Sequence, residues 1–351
     1  MKSLIYGYGI TGQSVEKYLI KNNIEYLIYD DNKIVYTSDL FTDNLKQEWD
    51  VIYCSPGVSR ETFKNLKKLS CNSITTDIEV FCSKNSSKKI GITGTNSKST
   101  TCFHLYQLLK KKYTVNLVGN IGEPVLDHIY DDKEYSIIEL SSAQLDKLEL
   151  VDLDYGVLLN IAPDHIDYHG TFKNYKNTKE KVLSAKKTTT ENNPFKLYKW
   201  ITGEKIENIK LMNLPFRFEF ISNKVINDSK STNIHSLEYA LKKANNHFQK
   251  EPYHLILCGN PSKENYRKFR PIGPKNIFIF GNHANEIYRR IDHQNKYIFE
   301  NLEEVLCKIS EATSKNILFS PGHPSGNDYK NFEERGSFFN KKVREIFSDD
   351  I

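Results

Sequence analysis

The ten residues GITGTNSKST, Gly91 to Thr100, combine glycines, hydroxyls and one lysine in an order that suits phosphate binding. Such a loop works because consecutive backbone N–H groups converge on phosphate oxygens, the lysine reaches the terminal phosphates, and the next hydroxyl holds Mg²⁺. Lys98 and Ser99 fill the last two roles, and Gly94, Thr95, Asn96, Ser97 and Thr100 complete the loop. Ser97 stands where such loops use glycine. Glycine is favoured at positions that need a positive φ, and another residue there costs about 1–2 kcal/mol. Several charge-assisted hydrogen bonds of about 1.5–3 kcal/mol each outweigh that cost, so nucleotide binding is expected despite the serine.

Other residues with chemical potential lie on both sides of the loop. Glu139 ends the apolar run YSII, as the acidic magnesium partner does in other enzymes with such loops. His165 and Asp167 follow LLNIAPD, either as a ligand set or as caps of a strand end. Gly7, Gly9 and Gly12 with Asp30 form a dinucleotide fingerprint that alone would suggest a dehydrogenase. The downstream phosphate loop argues against hydride transfer. Lys179, in KNYKNTKEK, reads by itself as a solvated helix face, and Phe332 as core.

These residues need strands and helices to hold them. Ser3 to Tyr6 reads as a strand, followed by GYGITG, a helical pattern through Val15, Tyr18 and Leu19, and a second strand EYLIYD. WDVIYCSPGV is a strand ending at a Pro-Gly turn, and the polar run Ser83 to Lys89 is expected to be a linker. A second unit begins with a strand at Ile90 to Thr93, the loop, and a helix from Ser99 to Leu109. YSIIELSS and YGVLLNIAPDH then read as buried parallel strands whose carboxyl ends carry a site. From Lys179 to Asn213 no convincing strand is expected. From FRFEFI onward, HLILCG, NIFIFG, KYIFE and NILFSPG alternate with helical stretches such as Leu302 to Ser310 and Phe332 to Ile346, which argues a doubly wound α/β sheet.

At 351 residues the chain can bury two or three cores. A net charge of +5 without a dense basic block suits a small anionic ligand, and nucleic acid is not expected as a partner. The six cysteines are scattered, so reduced thiols are expected rather than a disulfide or zinc framework. The amino terminus lacks the apolar run of a signal peptide and no segment is long enough to span a bilayer, so a soluble, cytoplasmic protein is expected.

Taken in order, GITGTNSKST, GNIG (119–122), ELSSAQL (139–145), NIAPDHIDYHG (160–170), LPFRFE (214–219), INDSKSTN (226–233) and SPGHPSGNDYKNFEERG (320–336) resemble the successive motifs of the Mur ligases. The likeness covers the chain end to end and is greatest to the branch that adds D-glutamate to UDP-N-acetylmuramoyl-L-alanine. It implies a three-domain α/β architecture: a Rossmann-like UDP-binding domain (1–85), a central P-loop ATP-binding domain (86–213), and a Rossmann-like amino-acid-binding domain (214–351). It also implies an acyl-phosphate mechanism using ATP and Mg²⁺, and a monomer is expected.

By that resemblance the loop 94–100 would hold ATP, with Ser99 and Glu139 on a first magnesium. His165 would ligate a second magnesium, and Lys179 would be carbamylated into an anionic metal ligand. Arg217 and Asp228 would reach the nucleotide from the third domain. Lys230, Thr232, Lys263, Ser325 and Phe332 would surround D-glutamate. Ile10, Thr11, Asp30, Ser55, Pro56 and Gly57 would form the UDP-sugar pocket, with Asn120, Ser142 and Gln144 along the path to the reacting carboxylate.

The sequence also departs from the family pattern. Ser97 replaces a glycine, Phe216 stands where histidine is usual, and Asp31 and Asn32 follow Asp30 where basic residues can occur. The span from Lys179 to Leu214 is short and lacks the H-N-x-x-N helix, which implies a trimmed central sheet with exposed edges or core unless other segments cover them. Competing expectations are a non-catalytic relic that binds a UDP-sugar or a protein, and a ligase of the same superfamily with another acceptor.

Overall fold

The computed structural model describes residues 2–32, 38–69, 71–149, 152–207, 209–249, 251–261 and 268–347. The chain forms two compact units, Met1–Met212 and Asn213–Ile351.

The first unit contains two parallel sheets. One is built from β1 (Lys2–Tyr6), β2 (Glu25–Tyr29), β3 (Trp49–Cys54) and β4 (Cys71–Thr75) in the order β2-β1-β3-β4. Its helices are α1 (Ile10–Lys21), α2 (Arg60–Leu66) and α3 (Asp77–Lys84). Helix α1 buries Val15, Tyr18 and Leu19, the apolar stripe read from the sequence. Helix α3 starts at a reciprocal capping box between Thr76 and Glu79. The expected linker at Ser83 to Lys89 is not one. Its first two residues end α3, its last two begin the next strand, and Asn85 and Ser87 between them are buried. The Asn85 amide nitrogen donates to the carbonyls of His128, Ile129 and Asp131, which fixes the crossing between the sheets.

The second sheet has the order β6-β7-β5-β8-β9. Its strands are β5 (Lys88–Thr93), β6 (Val115–Gly119), β7 (Tyr135–Glu139), β8 (Tyr155–Leu158) and β9 (Lys187–Thr189). The central strand β5 feeds α4 (Lys98–Leu109) and lies between β7 and β8, so three strand ends open side by side. Helix α5 (Ser142–Lys147) follows β7, and α6 (Ile166–His169) and α7 (Phe172–Glu180) follow β8.

Beyond Lys179 the sequence expectation fails. β9 adds a short edge strand, and α8 (Pro194–Thr202) forms where only a polar stretch was read. Its signals are local. The Asn193 side chain caps the amides of Phe195 and Lys196, Pro194 opens the first turn, and Gly203 stops the helix at a φ of +81°. Leu197, Tyr198 and Ile201 of α8 join Leu105, Leu108 and Leu109 of α4 in one core, flanked by Ile206, Ile209 and Leu211. Gln107 clasps the backbone of Met212 through both amide groups, at 2.9 and 2.8 Å. The flank exposed by a shortened domain is therefore covered from within the chain.

The second unit is a six-stranded sheet of order β10-β11-β15-β12-β13-β14. Its strands are β10 (Glu219–Phe220), β11 (Val225–Asn227), β12 (His254–Leu257), β13 (Asn276–Phe280), β14 (Lys296–Phe299) and β15 (Ile317–Phe319), all parallel except β10. Helices α9 (Ile234–Phe248) and α10 (Ala284–Arg290) pack into one core, and α11 (Leu302–Ser310) and α12 (Phe332–Ile346) into another, the doubly wound arrangement the alternation predicts. FRFEFI yields only the two-residue strand β10, because Phe216 and Phe218 adopt φ values of +60° and +53°. Phe216 occupies space that only a glycine at position 336 leaves open: a Cβ there would lie 2.4 Å from its ring.

Candidate active site

The carboxyl ends of β7, β5 and β8 place Glu139, Thr93 and the 159–160 segment around the phosphate loop, where parallel sheets bind ligands. Gly94 is packed tightly, since a Cβ would meet Leu159 Cβ at 3.0 Å and the Asn160 amide nitrogen at 3.3 Å. Asn160 fastens the loop: its carbonyl accepts from Thr95 N at 2.9 Å, its side-chain oxygen from Asn96 N at 2.9 Å, and its amide donates to Asn96 O at 3.0 Å. Thr95 Oγ1 accepts from Ala162 N and lies 2.9 Å from the Tyr175 hydroxyl.

With the amides of Thr95 and Asn96 engaged, those opening α4 lack intrahelical carbonyl partners, a geometry that suits an anion. Ser97 caps α4 in the left-handed region, with φ of +66°, the conformation that favours glycine. Lys98 Nζ donates to Thr95 O at 2.9 Å, folding the ammonium over the loop.

Glu139 is 1 % exposed. Its Oε1 accepts from Asn120 Nδ2 at 2.9 Å, while its buried Oε2 has no partner among the described residues. A carboxylate oxygen held this way suits a cation. Lys179, read alone as a solvated residue, is also 1 % exposed. Its Nζ donates to Thr93 Oγ1 at 3.2 Å and lies 5.1 Å from the centre of the Tyr175 ring. Burial and the neighbouring charge of Lys98 push its pKa down to about 6, against the pull of Asp164 and Glu139. These surroundings favour the neutral amine over the ammonium.

His165 heads α6 in a left-handed conformation (φ +50°) and is exposed, with Asp164 Oδ1 accepting from its backbone amide at 2.9 Å. Asp167 is an exposed residue in the first turn of the same helix. Ser99 is buried in the first turn of α4. Ser142 and Gln144 are buried in the first turn of α5, where Gln144 Oε1 accepts from Ser141 N at 2.8 Å in a capping box.

At the first sheet, Gly7 takes φ of +92° and the Ser55 hydroxyl donates to its carbonyl at 2.6 Å. The Asp30 carboxylate accepts from Tyr8 N at 2.5 Å and from Asn32 N at 2.8 Å. Ile10 opens α1 and is 75 % exposed, with Thr11 half-buried beside it. Pro56 and Gly57 complete the turn after β3.

In the second unit, Asp228 is half-buried with both oxygens bonded, to the Ser320 hydroxyl and to Phe218 N, each at 2.9 Å. Burial raises its pKa to about 7. Lys230 Nζ stands 3.8 Å from the centre of the Phe332 ring and the Arg217 guanidinium 5.9 Å, so two cations lie near one aromatic ring. Thr232 is half-buried, and Ser325 is buried with a hydroxyl that has no partner among the described residues. Lys263 lies outside the described residues.

Asn160, Thr93 and Tyr175 were not singled out from the sequence. Their signal was position: Thr93 ends β5, Asn160 follows β8 within NIAPDH, and Tyr175 precedes Lys179 by one helical turn.

Residues 92–251 match the model of the Mur ligase middle domain. Over 438 aligned positions the chain is 30 % identical to the UDP-N-acetylmuramoylalanine–D-glutamate ligase of Buchnera aphidicola subsp. Acyrthosiphon pisum (strain Tuc7), covering 98 % of each. The chain belongs to the Mur ligase family. As a Mur ligase it is an ATP-dependent ligase. The aligned span exceeds the chain's 351 residues, so this relative carries stretches without counterpart here. The ligase of the same name from Thermotoga maritima is 27 % identical over 435 positions, covering 99 % of this Mur ligase and 98 % of its own length. Among solved structures, a MurF ligase from Thermotoga maritima in complex with ADP shares the fold, with a TM-score of 0.60 at 13 % identity, covering 98 % and 95 % of the two chains. A pseudomurein peptide ligase type C from Methanothermus fervidus matches with a TM-score of 0.54 at 14 % identity, covering 98 % and 99 %. Among the described residues no helix is long and apolar enough to cross a membrane.

Proposed function

We propose that this chain joins D-glutamate to UDP-N-acetylmuramoyl-L-alanine with conversion of ATP to ADP and phosphate, as a monomeric cytoplasmic enzyme of peptidoglycan precursor synthesis. The reading is carried by Glu139, Lys98 and Lys179 converging at one sheet end, in a chain that aligns end to end with ligases of that name.

In this reading Lys98 and the amides opening α4 hold the ATP phosphates and offset the repulsion between phosphate and substrate carboxylate. A carboxylate oxygen attacks the γ-phosphorus as the bond to ADP breaks. The amine of D-glutamate then attacks the acyl carbon, phosphate leaves, and the nitrogen sheds its proton. In this reading Glu139 Oε2, buried without a partner among the described residues, and the Ser99 hydroxyl would hold a first magnesium, and His165 with the modified Lys179 a second. When bound, magnesium would neutralise phosphate charge and polarise the acyl oxygen. The neutral amine of Lys179 is the form that adds carbon dioxide, which supports its conversion to a carbamate ligand.

Ile10, Thr11, Asp30 and the turn 55–57 would take the UDP end, and Asn120, Ser142 and Gln144 the lactoyl-alanine arm. Lys230, Thr232, Lys263, Ser325 and Phe332 would receive D-glutamate. Arg217 and Asp228 would reach the nucleotide on domain closure. The test is phosphate release that depends on both UDP-N-acetylmuramoyl-L-alanine and D-glutamate. A purified chain that binds no ATP in the presence of magnesium sinks the reading and leaves the non-catalytic relic, which the strained Ser97 favours.

A further inference from the structure

Helix α5 ends in Lys147, a residue the sequence did not single out, whose side chain is directed into the packing between the first unit's two sheets. It is 2 % exposed. Its Nζ donates to Pro56 O at 2.9 Å and to the Tyr168 hydroxyl at 3.0 Å. The ammonium also stands 5.3 Å from the centre of the Tyr168 ring and 5.9 Å from that of Phe63. One cation therefore touches three elements: the turn after β3, the end of α5, and the helix α6 that His165 heads.

A second strand of contacts runs beside it. Tyr168 donates to Asp146 Oδ2 at 3.4 Å, Arg60 Nε pairs with the same oxygen at 3.2 Å, and Arg60 Nη1 donates to His169 O at 3.3 Å. The carboxylate thus lies one residue from the lysine and one contact from its hydroxyl partner.

Burying an ammonium is unfavourable, and an apolar side chain of similar volume is commonly neutral or stabilising in its place. Desolvation does lower the Lys147 pKa. A costly group retained at a junction needs a role that packing alone does not supply, and its two hydrogen bonds indicate which one.

We infer that Lys147 is a positioning residue, which fixes the turn Ser55-Pro56-Gly57 against the α6 helix so that the sugar-nucleotide site and His165 are held in one geometry. The inference rests on the proposed reading that this turn receives the UDP-sugar. No contact between Lys147 and either ligand is required. Its effect passes through Pro56 and Tyr168.

Calorimetric titration of the full chain with UDP-N-acetylmuramoyl-L-alanine, and separately with ATP and magnesium, tests this alongside thermal melts. Lys147→Met is expected to leave the melting temperature unchanged or higher and to weaken sugar-nucleotide binding by roughly ten- to a hundredfold, the scale of a small misplacement, with ATP affinity kept within about twofold. Tyr168→Phe, which spares the Pro56 contact but removes the hydroxyl's bonds with Lys147 and Asp146, is expected to weaken it by about threefold. Lys17→Ala is the control: it breaks the exposed pair with Asp127 elsewhere on the same packing surface and should change neither affinity. Unchanged sugar-nucleotide affinity in Lys147→Met overturns the positioning role alone. Loss of both affinities together with a lower melting temperature overturns it in favour of a merely structural lysine. A wild-type chain without sugar-nucleotide affinity overturns both this inference and the functional reading beneath it.

Discussion

Two strand–turn–helix junctions in the first unit solve one geometric problem with different residues. After β1, the left-handed position is Gly7, where a Cβ would sit 2.9 Å from Ser55 Cβ, and Gly12 is pressed so closely that a Cβ would lie 2.2 Å from the Gly7 carbonyl oxygen. After β5, the left-handed position is Ser97, exposed, and the tight contact is at Gly94. Glycine is demanded by space as well as by backbone conformation at the first junction, and by conformation at Ser97. A serine can meet the second demand at a modest cost, whereas no side chain meets the first. The junctions also differ in what they leave open. Asp30 and Ser55 engage the first turn's backbone, while beside the second a buried Glu139 oxygen has no partner among the described residues.

The largest effects should follow from removing the two charged groups at the second junction. Lys98→Ala and Glu139→Ala should each reduce ATP-dependent phosphate release by about a hundredfold or more, the scale of losing one preorganised electrostatic partner. Near-normal turnover in either variant would mean that the open carboxylate and the folded lysine serve packing. Gly12→Ala comes next. Its overpacking should cost about 1–3 kcal/mol, seen as a lower melting temperature, and a tolerated alanine would erase the distinction between space and conformation.

A smaller effect separates satisfied from unsatisfied carboxylates. Asp228 has both oxygens bonded, and burial raises its pKa from 3.8 to about 7. Between those values the folded state binds more protons than the unfolded one, so this group's contribution is complete at low pH and is lost as pH rises through 7. Denaturant titrations from pH 5 to 8 should show that decline in the wild type and a flatter profile in Asp228→Asn.

The smallest change should come from Ser97→Gly. Relief of the left-handed serine is worth about 1 kcal/mol, partly cancelled by the greater freedom of glycine in the unfolded chain, so stability should rise by a few tenths to 1 kcal/mol. ATP affinity measured beside it should not fall. A loss of affinity would mean that the serine hydroxyl itself meets the nucleotide.

The sequence was most legible where periodicity and turn chemistry act locally. The phosphate loop, the ends of YSII and LLNIAPD, and the helices Leu302–Ser310 and Phe332–Ile346 all fall where apolar runs meet polar residues. Lys179 shows the limit. Nothing in KNYKNTKEK announces burial, because its enclosure is supplied by Thr93 and Tyr175 and by the strand ends beyond them. Lys147 was illegible for the same reason, since its partners stand 91 and 21 residues away. Helix α8 was overlooked despite clear signals: Asn193, Pro194 and Gly203 frame it, but lysines between its apolar positions hid the stripe. At Ser83 to Lys89 polarity misled, because Asn85 is polar so that it can satisfy three carbonyls in a buried crossing.

Helix α8 and the Gln107 clasp give the central sheet its own lid of leucine, tyrosine and isoleucine, drawn from residues next door in the chain. A domain closed in this manner can lose length nearby without baring its interior to water. Shortening then becomes a question of which ligand contacts disappear, while the apolar face stays covered by a nine-residue plug.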